Sequence, residues 1–170
     1  MNKPWQNRIA GYGEEVPDQL LANPNNFRTH PGNQQDALLG VLEDVGVVQD
    51  VIVNRSTGFI VDGHLRLMLA MRTNQPTIPV KYVDLTPAEE SLILASFDPI
   101  SALAGIDAAK LTELLHEVST TNTDVLTLLD GLATQAGIVP DFEPATLEEQ
   151  GRLDQKGTVT CPECGHEFTT

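Results

Sequence analysis

Long apolar runs are absent from this sequence. No stretch approaches the roughly 18 apolar residues that mark a membrane-spanning helix. The first residues, Met1 to Arg8, lack the apolar segment of a secretory signal. Only two cysteines occur, both in one short C-terminal motif, so a disulfide framework is not expected. These absences predict a cytoplasmic protein without membrane contact.

Positive charge is also scarce. The chain carries 10 Lys and Arg against 24 Asp and Glu, a net charge of −14. Residues 101–170 hold 3 of the cations and 12 of the anions, so the second half is the more acidic. Non-specific DNA binding depends on Lys and Arg that neutralise phosphates. The chain alone is therefore predicted to be a poor general DNA binder, although five cations lie between residues 28 and 81.

The most informative stretch is residues 59–72. Three β-prone residues run into Asp62 and Gly63, and a helix-patterned segment begins at His64. A strand that turns through glycine into a helix leaves unpaired backbone N–H groups at the positive end of the helix dipole. Arg66 lies in the first turn and could bind an anion there. The alternative is an ordinary strand–helix corner in which Asp62 balances Arg66.

Periodicity and turn residues predict the other elements of the first half. An amphipathic helix is expected over 34–45, followed by a β-hairpin over 50–61 and the central helix over 64–73. A strand over 78–85 and a helix that begins at Thr86 complete the set. The predicted fold class is α+β (mixed α/β), in a domain over 16–100 that follows a flexible arm over 1–15.

The second half changes character. Residues 101–137 contain two leucine-rich segments that open on aspartates, which predicts a helical hairpin that packs on the first domain or on another chain. Residues 138–157 are acidic and aperiodic and are interpreted as a linker. Residues 158–170 form a tail that contains Cys161, Cys164 and His166.

The two cysteines have the spacing of a zinc knuckle. Two thiolates on a tight turn are typical of one half of a zinc ribbon, and His166 follows closely. A closed site needs four ligands, so we hypothesise that a second chain completes a Zn²⁺ site across a homodimer axis. The alternative is a half-ribbon that binds no metal.

Four segments of the first half resemble, in order, the ParB-like N-terminal domain of the ParB/sulfiredoxin superfamily, also called the ParB-like nuclease domain. They are the Asn-Pro turn from Asn23 to Arg28, the helix and strand from Leu39 to Val53 (most similar from Gly46 on), the motif from Gly63 to Ala70, and the strand and helix from Ile78 to Phe97. The version of the motif in this chain is similar to ParB-like domains of phages and mobile elements, which often accompany DNA methyltransferases.

The resemblance implies binding of a nucleoside triphosphate with Mg²⁺. By position, Gly63, His64 and Arg66 would hold phosphate, with Arg28 and Asn23 as further contacts. The chain departs from the family pattern at two positions, because His64 replaces a glutamate and Leu65 replaces an arginine. The cysteine that sulfiredoxins use in catalysis has no counterpart, which excludes sulfinic-acid reduction.

Three functions remain open on this basis. The first is a DNA-associated accessory protein that binds a nucleotide or phosphodiester and receives its DNA affinity from a partner such as a methyltransferase. The second is an enzyme, either a metal-dependent nuclease or a nucleotide-hydrolysing (NTPase or kinase-like) protein, with Asp62 and His64 as catalytic residues beside Arg66. The third is a zinc-linked dimeric adaptor that binds no nucleotide.

Overall fold

The computed structural model describes residues 4–138 and two further short strands, residues 158–160 and 167–169. The chain divides into two compact units, residues 1–138 and residues 139–170. Across the residues described, none of the helices has the length and apolar character needed to cross a membrane.

The first unit is built on a four-stranded sheet with the order β1-β4-β2-β3. The strands are β1 (Ile9–Glu15), β2 (Val51–Asn54), β3 (Ile60–Asp62) and β4 (Ile78–Val83). Strand β2 pairs antiparallel with β3 and parallel with β4, and β1 pairs antiparallel with β4. The predicted hairpin of β2 and β3 is therefore present at one edge of the sheet.

Five α-helices are described, together with one 3₁₀ turn, Pro17–Gln19. The helices are α1 (Gly32–Asp44), α2 (His64–Arg72), α3 (Pro87–Ala102), α4 (Ala108–Glu117) and α5 (Thr123–Gln135). This arrangement of a mixed sheet and helices confirms the predicted α+β class. Helix α3 begins with the expected capping box between Thr86 and Glu89, but continues through Pro99 rather than ending near Phe97.

The core lies between the two central strands and α2. Val51, Ile60 and Val80 are fully buried, and Leu67 and Ala70 of α2 pack against the same cluster. The alternation of apolar residues along β2 and β4 and the apolar face of α2 account for this packing. The core thus fixes the end of β3 and the start of α2 in one place.

The prediction of a flexible arm over residues 1–15 is wrong for residues 9–15, which form β1. Edge strand β1 is mostly exposed and contains two glycines, so the strand has no apolar alternation in its sequence. Backbone hydrogen bonds to β4 stabilise the strand instead. Just before it, the Arg8 guanidinium donates hydrogen bonds of 3.0 and 2.7 Å to the Glu89 carboxylate, which ties the strand to α3.

The predicted helical hairpin over 101–137 corresponds to α4 and α5. Helix α5 packs on α1, with Val125 buried in the contact. At one end of this contact the Thr120 hydroxyl donates a hydrogen bond of 2.5 Å to Asp44, and Asn122 lies directly over Gly40. A Cβ atom on Gly40 would approach the Asn122 side chain to 2.6 Å, so only glycine permits this contact.

The second unit contains two short antiparallel strands, β5 (Thr158–Thr160) and β6 (Glu167–Thr169). The proposed zinc ligands Cys161, Cys164 and His166 belong to the segment between these strands and lie outside the described residues. The predicted acidic linker also lies outside them, apart from Ile138. The zinc site stays a prediction.

Gly63 connects β3 to α2 in a conformation that other residues rarely adopt. Its φ is +97°, and an added Cβ would lie 3.0 Å from Val51 Cγ2 and 3.1 Å from Val51 Cα. Gly58 offers a matched comparison, because its φ is also positive, at +75°, but nothing lies within 4 Å of an added Cβ. Crowding against β2 therefore distinguishes Gly63 from Gly58.

We predict that Gly63→Ala destabilises the protein more than Gly58→Ala. The left-handed conformation costs an alanine about 1–2 kcal/mol at either position. Crowding at Gly63 adds roughly 1–3 kcal/mol, the usual cost of overpacking. Urea unfolding of both variants measures the difference, and equal losses of stability would contradict the close approach of Gly63 to Val51.

Candidate functional site

The start of α2 has no side-chain cap. Gly63 is the N-cap residue, and no side chain accepts a hydrogen bond from the first turn. The first N–H groups of any helix have no partner within that helix, and the helix dipole places partial positive charge there. Backbone N–H groups of the first turn of α2 are therefore available to an anion.

A pocket of about 190 Å³ is lined in part by the residues of this turn, Gly63 to Arg66. Its lining includes six ionisable side chains, which are Arg28, His30, Asp62, His64, Arg66 and Asp98. The structure thus brings together five of the six residues predicted for catalysis or phosphate binding, namely Arg28, Asp62, Gly63, His64 and Arg66. The sixth, Asn23, does not line the pocket.

Arg66 is held mainly by protein groups. Its Nη2 donates a hydrogen bond of 2.9 Å to Asp62 Oδ2, and its Nη1 donates one of 3.2 Å to Gln49 Oε1. The side chain is 15% exposed. Its Nε is buried and has no hydrogen-bond partner among the described residues. The Asp62–Arg66 ion pair, which the sequence analysis gave as the alternative to an anion site, is present. It leaves only part of the Arg66 guanidinium available to a ligand.

Arg28 is the more available of the two arginines. Its Nε lies 2.5 Å from Asp98 Oδ2, an ion-pair distance, but the two groups lack the alignment of a hydrogen bond. Its guanidinium carbon lies 5.8 Å from the centre of the Phe27 ring. Neither terminal nitrogen of Arg28 donates a hydrogen bond to any residue that the structure describes. These nitrogens can therefore meet a phosphate in the pocket.

The surroundings of His64 favour the neutral form of its imidazole. Burial lowers its pKa, and His30 lowers it further, whereas Asp62 and Asp98 act in the opposite direction without reversing the shift. Its Nε2 accepts a hydrogen bond of 3.3 Å from the Asn23 backbone N–H. This bond requires an unprotonated Nε2, which places the ring proton on Nδ1.

Asn23 supports the site from behind rather than contacting it. It is 4% exposed, and its side-chain amide donates a hydrogen bond of 2.8 Å to Glu90 Oε1. The other oxygen of Glu90 accepts hydrogen bonds from Asn54 Nδ2 at 2.6 Å and from the Thr57 hydroxyl at 2.5 Å. One buried carboxylate therefore fixes the Asn-Pro turn, and through the Asn23 backbone it orients His64.

Glu90 stays ionised although it is buried, with only 6% of its surface exposed. Burial alone would raise its pKa, but hydrogen bonds from Thr57, Asn54 and Asn23 outweigh that effect, and the net pKa is lowered. A carboxylate that accepts several hydrogen bonds is stabilised in its charged form without a cationic partner. The charge of Glu90 thus helps to hold the loop that carries the site.

Two ionisable residues of the pocket, His30 and Asp98, were not among the site residues predicted from the sequence. His30 lies in a Pro- and Asn-rich loop, and Asp98 lies on the far turns of α3. Both reach the pocket only through the tertiary fold, so no local pattern marks them. Across the described parts of the chain, no three His, Cys, Asp or Glu side chains form a group that could hold a metal ion.

Comparison with known proteins identifies the fold. No protein-family model matches the sequence, and no curated protein matches it. Among solved structures, the C-terminally truncated chromosome-partitioning protein ParB from Caulobacter crescentus, complexed with CTP-gamma-S, is similar with a TM-score of 0.53 and 21% identity. The match covers 73% of this chain and 79% of that chain. This likeness shows that the chain has a ParB-like fold.

Two structures of a pNOB8-like ParB N-domain also match, with TM-scores of 0.43 and 0.45 and identities of 12% and 13%. The matches cover 96% and 98% of this chain, and 59% and 56% of those chains. The fold assignment rests on the Caulobacter structure alone.

We predict that Glu90→Gln lowers the free energy of unfolding at pH 7 by roughly 2–3 kcal/mol. The amide nitrogen of the new glutamine is a hydrogen-bond donor, and it would face a second donor where the Glu90 carboxylate now accepts a hydrogen bond. Since folding lowers the pKa of Glu90, its contribution is present above the ordinary value of 4.5 and is lost as the pH falls below it. The difference between wild type and variant should therefore shrink below about pH 4.5.

Urea unfolding between pH 3 and pH 7 measures this dependence. Glu113→Gln, on the exposed surface of α4, is the matched control and should leave stability unchanged. A constant difference across this pH range would contradict an ionised Glu90.

Proposed function

We propose that the chain binds the phosphates of a nucleoside triphosphate, with Mg²⁺, or of a phosphodiester at the start of α2, and acts as a DNA-associated accessory protein. One observation carries the proposal: the uncapped first turn of α2 lines the same pocket as Arg28, whose terminal nitrogens donate no hydrogen bond to the residues that the structure describes. Backbone N–H groups and a guanidinium are the donors that phosphate oxygens accept from best.

The charges of the pocket favour an exchange of partners. Arg28 and Arg66 are each paired with an aspartate, so the pocket is close to electrically balanced while no ligand is bound. A triphosphate carries more negative charge than one aspartate and accepts hydrogen bonds from several directions. It would compete with Asp98 for Arg28, while Arg66 remains paired with Asp62 and supports the turn.

The choice of a nucleotide over simple phosphate is supported by the similar ParB structure, whose ligand is CTP-gamma-S. At this identity the likeness shows the fold alone, so nucleotide binding by this chain is our proposal. His64 stands where the family has a glutamate. The preferred base and the mode of binding in this chain can therefore differ from those of the ParB structure.

DNA association is proposed with a partner. A net charge of −14 opposes direct binding to the phosphate backbone. A DNA-modifying protein such as a methyltransferase, or a DNA contact formed by a homodimer, would supply the missing affinity. As part of the same proposal, the chain is a protein of a phage or mobile element.

We propose binding rather than catalysis because the Asp62 carboxylate is already paired with Arg66. Its carboxylate accepts a hydrogen bond of 2.9 Å from Arg66, which competes with its use as a metal ligand or base. The enzymatic alternative requires turnover that Asp62→Ala abolishes. Product analysis after incubation with nucleotide distinguishes the two.

The zinc site remains part of the proposal. Cys161 and Cys164 occur in the sequence between two short strands that pair antiparallel, with the two-residue spacing of a zinc knuckle. In a homodimer the cysteines of two chains would supply four thiolates to one zinc ion across the dimer axis, and His166 is a further candidate ligand. Zinc content well below half an ion per chain in the purified, untagged protein would contradict it.

We predict that the wild-type protein binds at least one nucleoside triphosphate in the presence of Mg²⁺ and that Arg28→Ala weakens this binding at least ten-fold. Loss of one charge-assisted contact to phosphate accounts for that factor. Calorimetric titration with ATP, CTP, GTP and UTP measures the affinities.

Arg72→Ala is the matched control, because Arg72 lies at the far end of α2 and its side chain is 43% exposed. It should bind like wild type. If no nucleotide binds the wild-type protein, or if Arg28→Ala and Arg72→Ala have equal effects, the proposed site is wrong.

A further inference from the structure

A cleft of about 650 Å³ separates part of α1 from part of α5. The two helices are joined firmly at one end, where Asn122 covers Gly40 and Thr120 holds Asp44. Away from that end a gap lies between two segments of the chain. One segment is residues 31–41, which contain the start of α1, and the other is residues 124–135 of α5. The cleft is therefore closed at one end and open at the other.

The lining of this cleft differs in chemistry from the pocket at α2. Its floor is apolar, with Leu38, Val41, Leu128 and Leu132 among the lining residues. No Lys, Arg or His lines it, and its one charged side chain is Asp124. A phosphate would be unfavourable here, whereas an uncharged and flat group could be buried against the leucines.

Amide side chains at the rim provide polar contacts. Asn33, Gln34 and Gln135 line the cleft, and each amide can both donate and accept hydrogen bonds. Gln34 contacts His30 through its Oε1 at 3.1 Å, and its amide nitrogen has no hydrogen bond to the described residues. Such groups suit the edge of a nucleobase, which presents donors and acceptors side by side.

The cleft and the phosphate pocket share a border. Gln34, Leu38 and Leu65 line both. Leu65 is the second residue of α2, so it belongs to the turn whose N–H groups have no partner among the described residues, and its side chain is buried. An uncharged compartment thus adjoins a cationic one without an intervening element.

We propose that this cleft holds the base and sugar of the nucleotide whose phosphates lie at the start of α2. This inference rests on the proposed function and assigns the ligand a direction, with its anionic end toward Arg28 and its uncharged end between α1 and α5. Helix α5 is then part of the binding site rather than only a support for α1.

The experiment compares nucleoside triphosphates with inorganic tripolyphosphate, which has phosphates but no base. Leu128→Trp fills the cleft, and Leu128 is 53% exposed, so the larger side chain need not disturb the core. Leu126→Trp is the matched control, since Leu126 lies on the same helix, is 47% exposed and does not line the cleft. Calorimetric titration with both ligands gives the affinities for wild type and variants.

We expect wild type to bind its preferred nucleotide at least ten-fold more tightly than tripolyphosphate. Leu128→Trp should remove this preference while tripolyphosphate affinity stays within two-fold of wild type, and Leu126→Trp should behave as wild type with both ligands. Equal affinity of wild type for the two ligands would overturn the inference, as would an unchanged nucleotide affinity in Leu128→Trp or an equal loss of both ligands.

Failure of the proposed function gives a different result. In that case neither tripolyphosphate nor any nucleotide binds wild type, and the inference falls with the phosphate site. Binding of tripolyphosphate without a preference for nucleotide would leave the phosphate site intact and overturn the cleft assignment alone.

Discussion

The close approach of Gly63 to Val51 is the constraint on which the site depends. The backbone can pass β2 at this distance only without a side chain, and only in a left-handed conformation. Strand β3 can therefore turn into α2 within one residue, which leaves no room for a capping side chain. The absence of that cap is what makes the first turn of α2 an anion site.

Two kinds of electrostatic support surround this turn. The pairs Asp62–Arg66 and Asp98–Arg28 hold cations beside the turn while they balance their charge. Glu90 acts from behind, as a buried carboxylate stabilised by hydrogen bonds alone. The Asp98–Arg28 pair can exchange with a ligand, whereas the Asp62–Arg66 pair and Glu90 stay in place, so the turn and the loop are held when Arg28 changes its partner.

Local patterns in the sequence predicted the elements that depend on local forces. The β2–β3 hairpin, α2 and the Thr86 cap follow from turn residues, periodicity and capping chemistry. Strand β1 did not, because an exposed edge strand is held by backbone pairing. Glu90 follows Glu89 in the first turn of α3, where a carboxylate is ordinarily solvated, yet Glu90 is buried. Its partners come from elements more than 30 residues away, a distance at which no local pattern operates.

The most direct test of the central claim is to follow backbone amides by NMR during titration with inorganic tripolyphosphate. The account predicts saturable shifts at the amides of His64, Leu65 and Arg66, with little change at Arg72 on the last turn of the same helix. Saturable binding with its largest shifts elsewhere, or no shift at these three amides, would contradict an anion site at the start of α2.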